Sequence, residues 1–247
     1  MPEDHKAGFL GLDFVFAAFG VAFGAMLVTT SAVRAAVITQ GVGTTTVTPT
    51  DLTGGLPAGL PTGDTLVPGA SETKPFTGYN NVGGIVFQGT VTSQVYADPN
   101  EPDWNVPGLD FVYQLSNNID GLTPDDPINR ITLASFANFL TDVDYLGGTG
   151  DVAPTTADRS SAPAGKIIGF NFPVSGGIVN PGQDSTYLVV ETNASTYTQG
   201  SASVIDGGTG STGADTPVAT VIFTVPEPAT LGLLAMVGGM LLGRRRR

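Results

Sequence analysis

The chain has 247 residues, of which 34 are glycine, 18 are proline and only 13% are charged. Glycine and proline are the poorest helix formers, so this composition disfavours a helical bundle. The formal net charge is −12, and eighteen of the 22 acidic residues but only four of the ten basic ones lie between residues 36 and 225. Binding of phosphate backbones needs clustered Lys and Arg, so we expect no nucleic-acid partner.

The residue types that carry most catalytic chemistry are scarce. The chain has no cysteine, which excludes disulfides, thiolate metal sites and cysteine nucleophiles. Its single histidine, His5, lies in a segment that we expect to be removed. A Ser-His-Asp triad and a histidine-based zinc site are therefore disfavoured, and we predict no catalytic, cofactor-binding or metal-ligating residues.

The N-terminus contains an uncharged apolar run of 15 residues, 14–28. This length is typical of the apolar core of a signal peptide and short of the about 20 residues that a spanning helix needs. The small residues Val33 and Ala35 suit a cleavage site, so we predict a signal peptide over 1–35 and a mature chain that begins at Ala36. Acidic neighbours offset Lys6, which is unusual for a signal peptide, so an uncleaved anchor stays open as an alternative.

The C-terminus, 226–247, combines three features in a fixed order. The motif Pro226-Glu227-Pro228 comes first, and an apolar run of 15 residues, 229–243, follows it. The chain ends in the cluster Arg244, Arg245, Arg246 and Arg247. As a helix the apolar run is about 22 Å long, short of a hydrocarbon core unless the arginines snorkel or the bilayer thins. The arginines should stay in the cytoplasm, which places the preceding chain outside the inner membrane.

This tail resembles the PEP-CTERM sorting signal of exported bacterial proteins. The resemblance implies recognition by an exosortase-type membrane protease, which would cut near the Pro-Glu-Pro motif. The remaining chain would then pass from the inner membrane to the cell surface or the extracellular matrix. The two prolines favour an extended segment that a protease can bind as a strand, and a generic tail anchor is the alternative.

The region between the two ends is typical of β-structure. Residues 36–80 are rich in Thr, Gly and Pro, and they predict an extended segment or irregular cover with edge strands near 37–38 or 44–48. Residues 81–225 show seven to nine short strands with turns between them, including one over 128–140 and one with a turn or bulge near Gly89. One strand alternates cleanly and places four large side chains on one face, namely Leu109, Phe111, Tyr113 and Leu115.

We therefore predict an all-β fold, an antiparallel β-sandwich or jelly roll, over 81–225. An N-terminal signal helix and a C-terminal membrane helix would flank it. The body loosely resembles the β domains often found in front of this tail, a resemblance that implies an exported β domain and no known activity.

Acidic residues in the expected turns are the main candidates for a cation site. They form three groups in the sequence: Asp98, Glu101 and Asp103; Asp125 and Asp126; and Asp142, Asp144 and Asp151. Calcium prefers six to eight oxygen ligands, but no group matches the calcium-loop signature. We therefore interpret them as solvated turns. The only tryptophan, Trp104, is expected to anchor a loop in a partly buried position.

These observations together indicate a non-enzymatic exported protein with a structural or adhesive body, for which exopolysaccharide is a candidate partner. A glycan- or calcium-binding module exported by the same route is the alternative. An enzyme ranks third, because no motif selects a pair of carboxylates for sugar hydrolysis.

Overall fold

The computed structural model describes the central part of the chain. The described residues are 36–39, 45–52, 56, 58–60, 63–80, 82–101, 104, 106–118, 121, 125–148, 151–161, 165–173, 175, 177–206 and 218–226. They all belong to one compact unit. The predicted signal peptide and the apolar run and arginines of the tail lie outside them.

The described residues form thirteen strands and no helix, so the fold is all-β as predicted. The strands are β1 (Ala36–Val37), β2 (Thr45–Val47), β3 (Thr50–Asp51), β4 (Thr65–Tyr79), β5 (Ile85–Glu101), β6 (Val106–Asn117), β7 (Ile128–Leu133), β8 (Thr141–Leu146), β9 (Thr156–Arg159), β10 (Ile168–Asn171), β11 (Tyr187–Thr192), β12 (Tyr197–Asp206) and β13 (Val218–Pro226).

The strands form two sheets, consistent with a β-sandwich. The first sheet has the order β1-β8-β11-β6-β5-β4, and the second has the order β13-β12-β7-β10-β9-β2. Neighbouring strands run antiparallel with one exception. Strand β3 pairs in parallel with β8, along the same edge of β8 with which β1 pairs. One face of the first sheet thus packs against the second sheet, and the opposite face is its outer face.

Alternating side chains of both sheets fill a common core. The four large residues predicted to share a face of β6 are all buried in it. Phe170 of β10 and Val204 of β12 join the same core from the second sheet, and both are fully buried. Ile38, just after β1, is also fully buried there, so the first residues of the predicted mature chain take part in the fold.

Three local features differ from the sequence-based expectation. Gly89 itself lies inside β5, paired on both sides with Phe76 and Asn117, and the irregularity expected near it lies at Val86, where the register of β5 against β4 shifts. A Cβ on Gly89 would lie 1.9 Å from the carbonyl oxygen of Ser116, so close packing of the strands explains the glycine. The long strand β4 occupies about the last third of the segment expected to be extended or irregular.

The strand expected over 128–140 ends early, at Leu133. Ser135 and Asn138 have φ angles of 83° and 68°, which turn the chain out of the sheet. The chain therefore turns here instead of continuing as a strand.

Candidate functional site

Buried carboxylates crowd the outer face of the first sheet. Pairing places Glu191 of β11 directly opposite Asp142 of β8 on one side and Asp110 of β6 on the other. Asp144 follows two positions after Asp142 on the same face. Each of these side chains is at most 2% exposed. Charged side chains are rarely buried to this degree, so this face is the most unusual feature of the described residues.

A second apolar cluster covers the same face. Val112 of β6, Val189 of β11 and Leu146 of β8 point outward there, and Leu52 and Leu60 from the segment before β4 pack on them. This small cluster explains how acidic side chains on an outer face become buried. Leu52 and Leu60 therefore cover part of this face.

The tightest acidic group lies where β4, β5 and β6 run side by side. Carboxylate oxygens of Asp64, Asp98 and Asp110 all lie within 4.8 Å of one another. Thr65 pairs with Ala97, which places Asp64 beside Asp98, and Asp110 lies opposite Tyr96 on the next strand. We call these three residues the acidic triad. They offer the oxygen ligands that a hard divalent cation prefers.

The electrostatics of the acidic triad follow from burial and like charge. Desolvation by burial raises the pKa of Asp64 to about 6, a hydrogen bond with Asp110 lowers it, and the charge of Asp98 raises it further. Three carboxylates at this separation repel one another strongly once water is excluded. Asp64 therefore holds a proton more readily than an ordinary aspartate.

The expectation of solvated acidic turns is wrong for three of the residues singled out above. Asp98, Asp142 and Asp144 lie within strands, and each is at most 2% exposed. Glu101 ends β5, while Asp103 lies outside the described residues. Asp125, Asp126 and Asp151 are partly buried and take no part in the acidic triad.

Asp64, Asp110 and Glu191 were not among the candidate residues predicted from the sequence. A signal existed for Asp110, because it stands between Leu109 and Phe111 in a strand whose alternate residues are apolar. For Asp64 no signal existed, because its place beside Asp98 depends on the register of β4 against β5.

A second polar network crosses the outer face of the second sheet. Arg130 of β7 donates hydrogen bonds to both carboxylate oxygens of Asp158 on β9, at 2.5 and 2.8 Å, and another to the side-chain oxygen of Asn171. Gly169 lies beneath the guanidinium, where a Cβ would come within 2.2 Å of it. Since Arg130 and Asp158 neutralise each other, this network is a structural ion pair rather than a charged binding site.

Arg159 occupies the opposite side of β9 and is 1% exposed. Its guanidinium donates to the carbonyl oxygens of Ile38, Phe136, Phe139 and Gly165. It also donates to the hydroxyl of Thr141. Burial lowers its pKa to about 10, so it stays charged at neutral pH. These contacts give Arg159 a structural role at the junction of four chain segments.

The structure describes few of the residues predicted for export. Ala36 begins β1, and Pro226 ends β13, where it lies opposite Tyr197. The other predicted sorting and cleavage residues lie outside the described residues: Val33, Ala35, Glu227, Pro228, Arg244, Arg245, Arg246 and Arg247. Among the described residues, no helix has the length and hydropathy to cross a membrane. Trp104 lies in the turn between β5 and β6 and is partly buried.

Neither a protein-family model, nor a curated protein, nor a solved structure shows a significant match to this chain.

Proposed function

We propose that the chain is an exported bacterial protein, held transiently in the inner membrane and sorted to the cell surface or extracellular matrix through its Pro-Glu-Pro signal. The body is a non-enzymatic β-sandwich with a structural or adhesive role. An exosortase-type membrane protease is the processing partner, and exopolysaccharide is a candidate partner of the released body.

The position of Pro226 is the observation that carries this proposal. The last described strand, β13, ends at Pro226, the first residue of the motif. A cut just after Pro226 would leave all the described strands in the body. This arrangement suits a disposable sorting signal better than an integral membrane domain.

The position of the first strand supports the same topology. Val37 pairs with Asp142 near the start of β8, and β8 begins opposite Thr192 at the end of β11. Only four residues separate Thr192 from Tyr197, the partner of Pro226. Both ends of the body therefore lie in the same part of the sandwich, from which both export signals can reach one membrane.

The strand connections favour the jelly-roll form of the sandwich. Strands distant in sequence are neighbours in each sheet: β6 lies beside β11 in the first, and β7 lies beside β12 in the second. The chain passes between the sheets from β6 to β7 and from β11 to β12, as in paired Greek keys.

Fractionation of a producing bacterium with intact-mass analysis tests the export proposal. We expect a mature species that begins at Ala36, ends near Pro226 and is found at the surface or in the medium. Glu227→Ala should leave an uncut species in the inner membrane, whereas Asp51→Ala, which removes an exposed acid of β3, should be processed normally. Full-length protein retained in the inner membrane of the unmodified strain contradicts the proposal.

The alternative is a binding module exported by the same route. For such a module, the acidic triad favours a cation over a glycan as the ligand.

A further inference from the structure

We infer that the end of the sandwich from which the tail leaves is a lipid-contacting surface, which lies against the outer side of the inner membrane until the tail is cut. The inference rests on the proposed function, because it takes the apolar run 229–243 as the segment that enters the bilayer. We call this end of the body the exit end. It comprises the end of β13 at Pro226, the turn between β5 and β6, the turn between β11 and β12, and the start of β8.

Strand pairing brings the elements of the exit end together. Pro226 lies opposite Tyr197, the first residue of β12. Thr192, which ends β11 shortly before it, pairs with the start of β8 on one side and with β6 on the other. A cavity of about 340 Å³ is lined by residues from the start of β4 and from both turns, including Thr65, Pro99, Pro107, Ala194 and Ser195. The chain therefore leaves the body beside these turns.

Large apolar side chains are exposed at the exit end. Val37, Leu66, Val106 and Leu140 are between 41% and 48% exposed. Val37 pairs with the second residue of β8, and Leu140 directly precedes β8 and donates its amide to the side chain of Asn193 at 2.9 Å. Single exposed apolar residues are ordinary, but a group of them at one end of a domain indicates a contact surface.

The short connection to the tail identifies what covers this end. Only Glu227 and Pro228 separate Pro226 from the apolar run. Fully extended, the chain spans at most about 11 Å from Pro226 to Ala229. As a helix the run is about 22 Å long, less than a hydrocarbon core of about 30 Å. With the four arginines on the cytoplasmic side, the run draws the exit end down to the lipid headgroups.

The contact depends on apolar side chains and on the tether. The body has an excess of acidic residues, and Glu101 ends β5 at the exit end, so anionic headgroups would repel it. A few partly exposed apolar side chains bind a membrane only weakly by themselves. A short tether, however, gives them an effective concentration of about millimolar or more at the lipid surface. Cutting the tail removes the tether, so the same step that ends anchoring also ends the lipid contact.

Trp104 is a natural probe of this contact. It is the only tryptophan of the chain and is partly buried in the turn between β5 and β6. The test uses the full-length chain in phosphatidylcholine vesicles that are isolated by flotation. Bromine on the acyl chains close to the headgroup quenches tryptophan emission only at short range. We expect brominated vesicles to lower the emission of Trp104 relative to vesicles without bromine.

A probe at the opposite end of the sheet is the matched control. Tyr79 lies opposite Ile85 at the start of β5, whose 17 residues span about 50 Å. Tyr79→Trp, combined with Trp104→Phe, should keep its emission in brominated vesicles. Equal quenching at both positions overturns the inference, because the body would then lie along the membrane rather than contact it through the exit end.

Charged substitutions test the apolar contact itself. Leu66→Asp and Leu140→Asp should each reduce the quenching of Trp104, whereas Val82→Asp should not change it. Val82 is 85% exposed in the hairpin between β4 and β5, and all three positions are exposed, so the fold tolerates each change. Quenching that survives in both exit-end variants overturns the inference, since the tether alone would then explain it.

Flotation separates this inference from the proposed function. A chain that floats with the vesicles but shows the same Trp104 emission with and without bromine overturns the lipid contact and leaves the export proposal standing. A chain that does not float contradicts the membrane step of the proposed function, and the inference fails with it.

Discussion

Arg159 donates a hydrogen bond of 3.1 Å to the carbonyl oxygen of Ile38, which lies 121 positions earlier in the sequence. The amide of Ile38 in turn donates to the carbonyl oxygen of Thr141, whose hydroxyl accepts a hydrogen bond of 2.5 Å from the same guanidinium. One buried cation thus attaches the first strand to the start of β8. The segment that follows the predicted cleavage site is therefore part of the core architecture.

Replacing Arg159 with methionine should destabilise the body. The change keeps much of the apolar stem but leaves several buried acceptors, including the carbonyls of Phe136 and Gly165, without their donor. Unsatisfied buried groups of this kind cost about 1–3 kcal/mol each, so we expect a loss of roughly 3 kcal/mol or more in the free energy of unfolding. Chemical denaturation measures it. Lys166→Met, at an exposed cation, is the control and should change stability by less than about 0.5 kcal/mol.

Two adjacent residues of the first segment should respond very differently to truncation. Ile38 is fully buried in the core, whereas Val37 is 48% exposed. Ile38→Ala should cost about 2–5 kcal/mol through lost burial and a cavity, and Val37→Ala should cost less than about 1 kcal/mol. Equal effects on the denaturation midpoint would show that the segment does not dock as the structure has it.

The main core could be predicted from the sequence because alternating apolar and polar residues indicate a strand with one buried face. Leu109 and Phe111 follow that pattern and face the second sheet. The same alternation puts Asp110 on the opposite face, but alternation says nothing about whether that face is covered. The cover comes from Leu52 and Leu60, and its contact with β6 depends on long-range packing. The acidic triad was therefore missed.

The buried position of Arg159 and the length of strand β4 also could not be predicted from the sequence, for two different reasons. A lone arginine is normally expected at the surface, and its backbone acceptors leave no residue pattern to recognise. Strand β4 contains Pro68, Gly69 and Pro75, which punctuate loops in most contexts. At the edge of a sheet they are tolerated, and the register against β5 shifts between Leu66 and Ser71.

Acidic pH should lower the stability of the body because it protonates Asp158. Burial alone would raise the pKa of this carboxyl, but hydrogen bonds from Arg130 and Asn171 and the charge of Arg130 outweigh burial and lower it below its ordinary value of 3.8. A carboxyl with a lowered folded-state pKa contributes stability above its unfolded-state pKa, and this is lost as the pH falls through the folded-state value. We therefore expect the wild type to lose this contribution below about pH 4.

Asp158→Asn checks the assignment by denaturation at a series of pH values. The variant should be less stable than the wild type at neutral pH, and the difference should shrink as the pH falls below about 4. Glu72→Gln is the control, since its partner Lys74 is exposed and such pairs contribute little. A constant difference between Asp158→Asn and the wild type across the acid range would assign the stabilisation to packing rather than to charge.

Gly89→Ala tests the close approach of β5 and β6. The added Cβ would lie 1.9 Å from the carbonyl oxygen of Ser116 and 2.7 Å from the ring of Phe76, and the backbone contact cannot be relieved by a side-chain rotation. The strands would have to separate at the centre of the first sheet, so we expect a loss of about 1–3 kcal/mol. Gly147→Ala is the matched control, because the nearest atom to its Cβ is 3.9 Å away. If both variants unfold at the same denaturant concentration as the wild type, the pairing of Gly89 with Asn117 is not the native register.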